Sequence, residues 1–501
     1  MKHPISLLLL LLLPATLHAQ TATVPQTPRL VVTIVIDQLR TDRLEQYSAQ
    51  FSADGFRRLL SDGALYTQAS YPFMPVDLAS ATACISTGTT PYYNGISGNR
   101  WMNKNTLRPI GCCDDPDHAG LFTQDHSSAK NLQTSTIGDE LKMTTGGAAL
   151  VYAVAAQREA AILSAGHAAD GALWIDNATG QWCSSSYYYK TTPNWLPSYN
   201  TLYAPSKKIV TLKSSDKALS TPQRYQYFKT SAHGNASVTD MALQCLSNSL
   251  MGSDATPDLL ALTYYAGQPS LPAKSTVTPM AALYKALDQE LARLINTIES
   301  KVGRGNTLYV VTASGYEDTD NQLYARHRVP SGTFYVNRTA NLLNIFLSAI
   351  YGQARYVEGF YRNHIYLNHK LLEQKRISLI DVYSRSEEFL TQCAGVRNVY
   401  TAMRLSTGGN AGAERVKNGY NTNTGGDLLI EIAPGWQVMD ENINEQYHYR
   451  AGLPDFPIIL YGNGIKPRRT DTPVSAEQIA PTIARALHTS LPNACTASAL
   501  R

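Results

Sequence analysis

The sequence predicts an α/β fold: a doubly wound, mainly parallel central sheet with helices on both faces and smaller inserted subdomains. Three observations carry this. Continuous β-branched and apolar runs recur along the chain, led by Leu30–Ile36 (LVVTIVI), and lack the alternation of a half-exposed strand. Helix-like stretches separate them, the pattern of βαβ units. The first run ends on a carboxylate, Asp37, where open parallel sheets place their sites.

The remaining strand-like runs are Ala149–Ala155, Leu259–Tyr264, Leu308–Thr312, Asp427–Ile432 and Pro457–Tyr461. Helices are expected over Phe56–Asp62, Thr136–Met143, Met280–Ser300 and Ala476–His488. In Met280–Ser300, Leu283, Leu287, Leu291 and Leu294 recur at spacings of four and three, a core-facing stripe. Pro269–Pro272 and Asn410–Asn423 read as loops. Tyr187, Tyr188 and Tyr189, with Trp182 and Trp195, read as a partly buried β-rich insertion.

With 501 residues, 44% of them hydrophobic, the chain can bury a large core. Its formal charge of +4 is small for this length, and no Lys/Arg run marks a nucleic-acid surface. Lys2 and His3 precede the leucine-rich run Leu7–Leu13 and the small Ala19, the layout of a secretory signal peptide over residues 1–19. Residues 20–501 then form the mature domain, with insertions expected within 100–235 and 325–450. No later stretch approaches the ~20 apolar residues of a membrane span, so an exported, periplasmic or extracellular chain is expected. The seven cysteines are an odd number, with no spacing of a zinc module. Cys84 reads as a small buried residue.

Several short segments stand in a telling order: Val35-Ile36-Asp37-Gln38, Ser86-Thr87-Gly88, Gly95-Ile96-Ser97-Gly98-Asn99, Ile137-Gly138-Asp139-Glu140-Leu141 and Ala165-Gly166-His167-Ala168-Ala169-Asp170. Later come Ile365-Tyr366-Leu367-Asn368-His369-Lys370, Gly426-Asp427-Leu428-Leu429-Ile430, Ala433-Pro434-Gly435-Trp436 and Ile479-Ala480-Pro481-Thr482. Taken in this order, over most of the mature chain, they resemble the alkaline phosphatase superfamily. The resemblance is to its exported bacterial phosphomonoesterases, which are related to the nucleotide pyrophosphatase/phosphodiesterases.

The resemblance implies two zinc ions held by three Asp and three His, with a Thr nucleophile between them. Such metals deprotonate the hydroxyl, neutralise the phosphoryl oxygens and hold attacking and leaving groups in line. Position by position, Asp37 matches the first ligand. Pro75 to Thr87-Gly88 has the length of the nucleophile segment, and Leu78 stands at the nucleophile position. The Asp-x-x-x-His pair is matched by Tyr265-Ala266-Gly267-Gln268-Pro269-Ser270-Leu271, which holds neither residue. The Asp-His pair becomes Ser314-Gly315, and the last His becomes Asp455.

The phosphate-binding groups change as well. Asn99 matches the Asn that contacts a phosphoryl oxygen, but Gln157 and Glu159 stand where the Lys and Arg are implied. A carboxylate at Glu159 would repel a bound dianion by ~4 kcal/mol per charge pair at 4 Å and an effective dielectric near 20. Asp37 has a structural role open to it as a cap or amide acceptor, and Asn99 is also a good turn residue. His167 reads as structural, and Asp114–His118 as a solvated turn.

The expected function is therefore an exported, catalytically inactive phosphatase-like protein that binds or scaffolds an unknown envelope partner or ligand, with no cofactor. The alternative is an active metal-dependent phosphomonoesterase or phosphodiesterase with a rebuilt zinc site, drawing on Asp37, Asp455 and a histidine such as His448 or His327. Either way Leu78, Asn99, Ser314 and Asp455 are expected to converge near Asp37.

Overall fold

The computed structural model describes residues 26–209, 220–268, 280–317, 328, 330–408, 411–442, 445–448 and 454–501. The signal-peptide segment 1–19, Pro269–Pro272 and His327 lie outside them.

Leu30–Asp37 is a strand buried along its whole length, as its continuous apolar run requires. It pairs in parallel with Asp258–Tyr265 on one side and Thr307–Ala313 on the other. The sheet continues in parallel through Val151–Ala155 and Gly171–Ile175, then turns antiparallel at Trp182–Ser185 and Gly120–Leu121. Beyond Thr307–Ala313, Phe456–Gly462 runs antiparallel, followed by Ala64–Ser70, which pairs with Arg468–Thr470 and Val474–Ser475. The result is a mixed, mostly parallel sheet of 11 strands with Leu30–Asp37 near its centre.

The helix Met280–Val302 buries Leu283, Leu287, Leu291 and Leu294, as their spacing predicted. Asp288 on the same helix is buried too, and its carboxylate accepts the Ser52 and Phe56 amides at 2.7 Å each, capping the Phe56–Asp62 helix. Among the described residues no helix is long and apolar enough to cross a membrane.

A second core lies between Phe334 and Val438. It is built on a four-stranded sheet of Val357–Tyr361, His364–Leu367, Leu428–Ile432 and Val396–Thr401, beside a three-stranded one. The run read as Asp427–Ile432 is thus a strand, but of this antiparallel sheet rather than the central one. Two further readings are corrected. Residues 411–419 form a helix, where the Asn- and Gly-rich composition suggested a loop; it packs on the Pro72–Met74 segment, with Met74 N–H donating to Arg415 O at 3.0 Å. Trp182 belongs to the central sheet and Trp195 opens a helix, so the aromatic cluster is no separate β insertion.

Candidate functional site

The carboxyl ends of Leu30–Asp37, Thr307–Ala313 and Ala64–Ser70 meet the amino end of Phe456–Gly462 at one edge of the sheet, because the last of these runs antiparallel to its neighbours. Everything that follows the three strands, and Phe456 itself, is therefore brought together.

Asp37 is 4% exposed, and its Oδ1 accepts the Ser314 hydroxyl at 2.7 Å. That hydroxyl in turn accepts the Gln38 amide at 2.8 Å. Asp37 and Ser314 do converge, through hydrogen bonding between neighbouring strand ends. Beside them stand three aromatic side chains that the sequence did not single out. Tyr71 stacks on Phe456 at 5.1 Å and meets Phe73 edge-on at 5.3 Å, and all three are buried. The Tyr71 hydroxyl donates to Ala313 O at 2.8 Å. Burial first, then the neighbouring Cys84 and Asp37, push its phenol well above the usual tyrosine range. Gly315 follows at φ +67°, and a Cβ placed on it would lie 2.7 Å from ring atoms of both Tyr71 and Phe456. The space next to Gly315 is filled with hydrocarbon.

Asp455 does not join this group. It is exposed and lines an open groove with Arg40, Asp42 and Asp471, while the next residue, Phe456, turns inward as strand alternation demands. His448 ends a strand paired with Gln437.

Leu78 is the first residue of the helix Leu78–Thr87 and is 6% exposed, packed in a cluster with Ala79, Ile96 and Trp101. Asp77 caps this helix. Its Oδ1 accepts Ser80 N–H at 3.0 Å, and its Oδ2 accepts Asn99 N–H at 2.7 Å. The Asn99 side-chain oxygen accepts Ala79 N–H at 3.2 Å. A helix N-terminus is a ready anion site, and here the chain's own carboxylate and an amide oxygen occupy it. The sequence carried a signal for this: an N-cap residue followed three positions later by Ser80, and the two form a reciprocal capping box.

Gln157 precedes the helix Arg158–Ala165 without a side-chain cap bond, and Glu159 lies in its first turn. The Glu159 carboxylate accepts two hydrogen bonds from Arg158, at 3.1 and 3.0 Å. Arg158 also pairs with Asp114 at 2.8 Å. Glu159 is therefore a paired charge, and the repulsion expected from it is largely offset by its neighbour.

The acidic stretch Asp114–His118 is a turn with Pro116 and Asp117 exposed, as expected, but it is anchored at Asp115. Asp115 is 1% exposed. Burial alone would raise its pKa, but hydrogen bonds from Lys130, Ser128 and His118 outweigh that and hold the carboxyl well below the usual range. His167 donates its amide to Asp139 at 2.8 Å, and its ring meets the Tyr187 hydroxyl at 3.3 Å, a structural arrangement.

A catalytic zinc needs at least three protein ligands. Among the described residues no three His, Cys, Asp or Glu side chains converge to hold a metal ion. After Asp258–Tyr265 come Ala266, Gly267 and Gln268, with no ligand among them, and among the described residues Asp37 accepts the Ser314 hydroxyl and lies near the Tyr71 phenol. Among the described residues the donor set does not fit the zinc pair that the fold implies.

Residues 31–455 match the model of the type I phosphodiesterase / nucleotide pyrophosphatase family, and the chain belongs to that family, within the alkaline phosphatase superfamily. It is 27% identical over 530 residues to the alkaline phosphatase PafA of Elizabethkingia meningoseptica, covering 97% of this chain and 96% of that one. Identity is also 27% over 517 residues with a protein of Myroides odoratus named calcium-transporting ATPase, covering 93% of each. The crystal structure of wild-type PafA matches with a TM-score of 0.83 at 25% identity, covering 95% of this chain and 99% of that one.

Proposed function

We propose that this protein is a catalytically inactive member of the family, exported to the cell envelope, where it binds or scaffolds rather than hydrolyses. The observation that carries the reading is the local chemistry at Asp37. The retained ligand position is hydrogen-bonded to Ser314, and among the described residues Tyr71 and Phe456 fill the space next to Gly315.

The nucleophile position supports the same reading. Leu78 has no group that can attack phosphorus, and Asp77 and Asn99 already satisfy amides at that helix end. A structure of PafA carries substitutions at a threonine, an asparagine, a lysine and an arginine. The first two stand as far apart in that chain as Leu78 and Asn99 do here, and the last two as far apart as Gln157 and Glu159. The basic start and leucine-rich run of residues 1–19 support export.

Steady-state assays test the proposal. Wild type and Leu78→Thr are given p-nitrophenyl phosphate and bis-p-nitrophenyl phosphate with added zinc. Neither protein should turn over either ester above the no-enzyme rate, because electrostatic and metal terms carry most of the barrier reduction in this chemistry. Zinc-dependent hydrolysis by wild type would overturn the proposal. Hydrolysis appearing only in Leu78→Thr would show that a metal site survives and only the nucleophile was lost.

A further inference from the structure

Gly111, Cys112, Cys113 and Asp114 form a tight turn. The Asp114 amide donates to Gly111 O at 3.1 Å, the bond that closes a β-turn, and the Gly111 amide donates to the Asp114 carboxylate at 2.6 Å. The two cysteines are therefore its central residues. Their backbone is tied to neighbouring segments as well. Cys112 N–H donates to Asn99 O at 2.9 Å, Asn131 Nδ2 donates to Cys112 O at 3.0 Å, and Ser128 N–H donates to Cys113 O at 3.1 Å.

Adjacent side chains in an extended strand point apart. Here the turn brings them together, and the two Sγ atoms lie 3.7 Å from each other. A further approach of about 1.7 Å would reach the disulfide length of about 2.05 Å. Neighbouring Cα atoms are about 3.8 Å apart, closer than disulfides usually span, so such a ring is strained and reducible. The strain would fall on a turn that the hydrogen bonds above already fix. Both cysteines are buried, in one cluster with Leu78, Ala79 and Trp101. Burial first, then the bond to Cys113, push the Cys112 thiol well above the usual cysteine range, so in the folded protein it is a poor nucleophile. Exchange at this pair belongs to folding, before the cluster closes over it.

We propose that Cys112 and Cys113 are a modification site, at which a low-molecular-weight or protein disulfide oxidises the folding chain to a vicinal disulfide. One cysteine thiolate attacks the donor R–S–S–R, and a first thiolate R–S⁻ leaves. The second cysteine attacks the sulfur of that mixed disulfide, and a second R–S⁻ leaves. The Sγ–Sγ bond has formed, the donor's S–S bond has broken, and two electrons have passed to the donor, whose sulfurs take both protons as thiols. The ring shares its cluster with Leu78 and directly precedes Asp114, which pairs with Arg158 and through it with Glu159. It therefore fixes the wall of the closed phosphate position covalently. The proposal rests on the export reading for its oxidising surroundings.

Alkylation mapping of the full chain, reduced and unfolded and then refolded in oxidised glutathione, is the test. The refolded protein is denatured, treated with iodoacetamide without reductant and digested with trypsin. Residues 105–130 form one tryptic peptide holding no other cysteine, since Lys104 and Lys130 bound it and Arg108 precedes a proline. In wild type this peptide should carry no alkyl group and weigh two hydrogens less than its reduced form. Dithiothreitol before alkylation should restore two alkyl groups. Cys112→Ser should lose the ring and leave Cys113 alkylated or glutathionylated. Two alkyl groups on wild type without dithiothreitol, glutathione retained on either cysteine, or a link to another peptide of the chain would overturn the proposal. Wild type alone decides it, so a Cys112→Ser chain that fails to fold removes nothing. The oxidant is supplied in the tube, so retention of the protein inside the cell would sink the export reading and leave the ring intact.

Discussion

Replacing Gly315 by alanine should lower the unfolding free energy by about 2–5 kcal/mol, an effect assembled from two sources. The first is backbone. Gly315 sits at φ +67°, where a Cβ is disfavoured by about 1–2 kcal/mol. The second is space. The new Cβ would lie 2.7 Å from atoms of both Tyr71 and Phe456, against an optimum of about 3.5–4.0 Å between carbons. Neither ring can yield easily, because each is at most 1% exposed and the Tyr71 hydroxyl is held by Ala313 O. Overpacking of this kind costs about 1–3 kcal/mol. The assay is urea unfolding followed by far-UV circular dichroism. A double variant with Phe456→Ala should be less than additive, since removing one ring relieves part of the clash. A Gly315→Ala protein within about 0.5 kcal/mol of wild type would show that the space is open, and the aromatic filling of the site would be refuted.

Three further outcomes are expected. Asp77→Ala should lose about 1–3 kcal/mol in the same unfolding assay, and Asp77→Asn less, because asparagine keeps one of the two acceptor oxygens that serve Ser80 and Asn99; equal losses would remove the second oxygen's role. Arg158→Ala should cost about 1–2 kcal/mol, since it leaves the partly exposed Glu159 and Asp114 without their shared partner, and no measurable loss would contradict the pairing. His364 is held at about 4, below its unfolded 6.5, so the unfolded chain takes up that proton first. Its contribution is present above pH 6.5 and is lost as pH falls to about 4, by up to about 3 kcal/mol. Comparing wild type with His364→Gln in urea at pH 7 and pH 4.5 should show the gap between them shift by about 2 kcal/mol, and a constant gap would rule out a buried neutral imidazole.

The central sheet was legible because its strands are buried on both faces, and Leu30–Ile36 or Leu308–Thr312 can hardly be anything else. The meeting of Asp37 and Ser314 was legible too, since each directly follows or ends a neighbouring run of the central sheet. The filling of the site was not. Tyr71, Phe73 and Phe456 meet only because an antiparallel strand carries Phe456 back beside Ala69, a pairing that no local pattern announces. Asp455 was placed near Asp37 by chain position, yet alternation along the strand sends Phe456 inward instead. The pairing of Glu159 with Arg158 escaped for a different reason. Adjacent residues on a helix do not ordinarily face one another, but Arg158 is the first helical residue, and its long side chain can fold back. The helix over 411–419 was masked by an Asn- and Gly-rich surrounding whose stability comes from packing on Pro72–Met74 rather than from propensity.

The measurement that bears most directly on the account is the zinc content of protein purified without chelator, by inductively coupled plasma mass spectrometry, for wild type and Asp37→Ala. With Asp37 accepting the Ser314 hydroxyl and no three ligands converging among the described residues, both proteins should hold well below one equivalent and should not differ from each other. About two equivalents in wild type, lost on Asp37→Ala, would contradict the account and restore a metal-dependent enzyme.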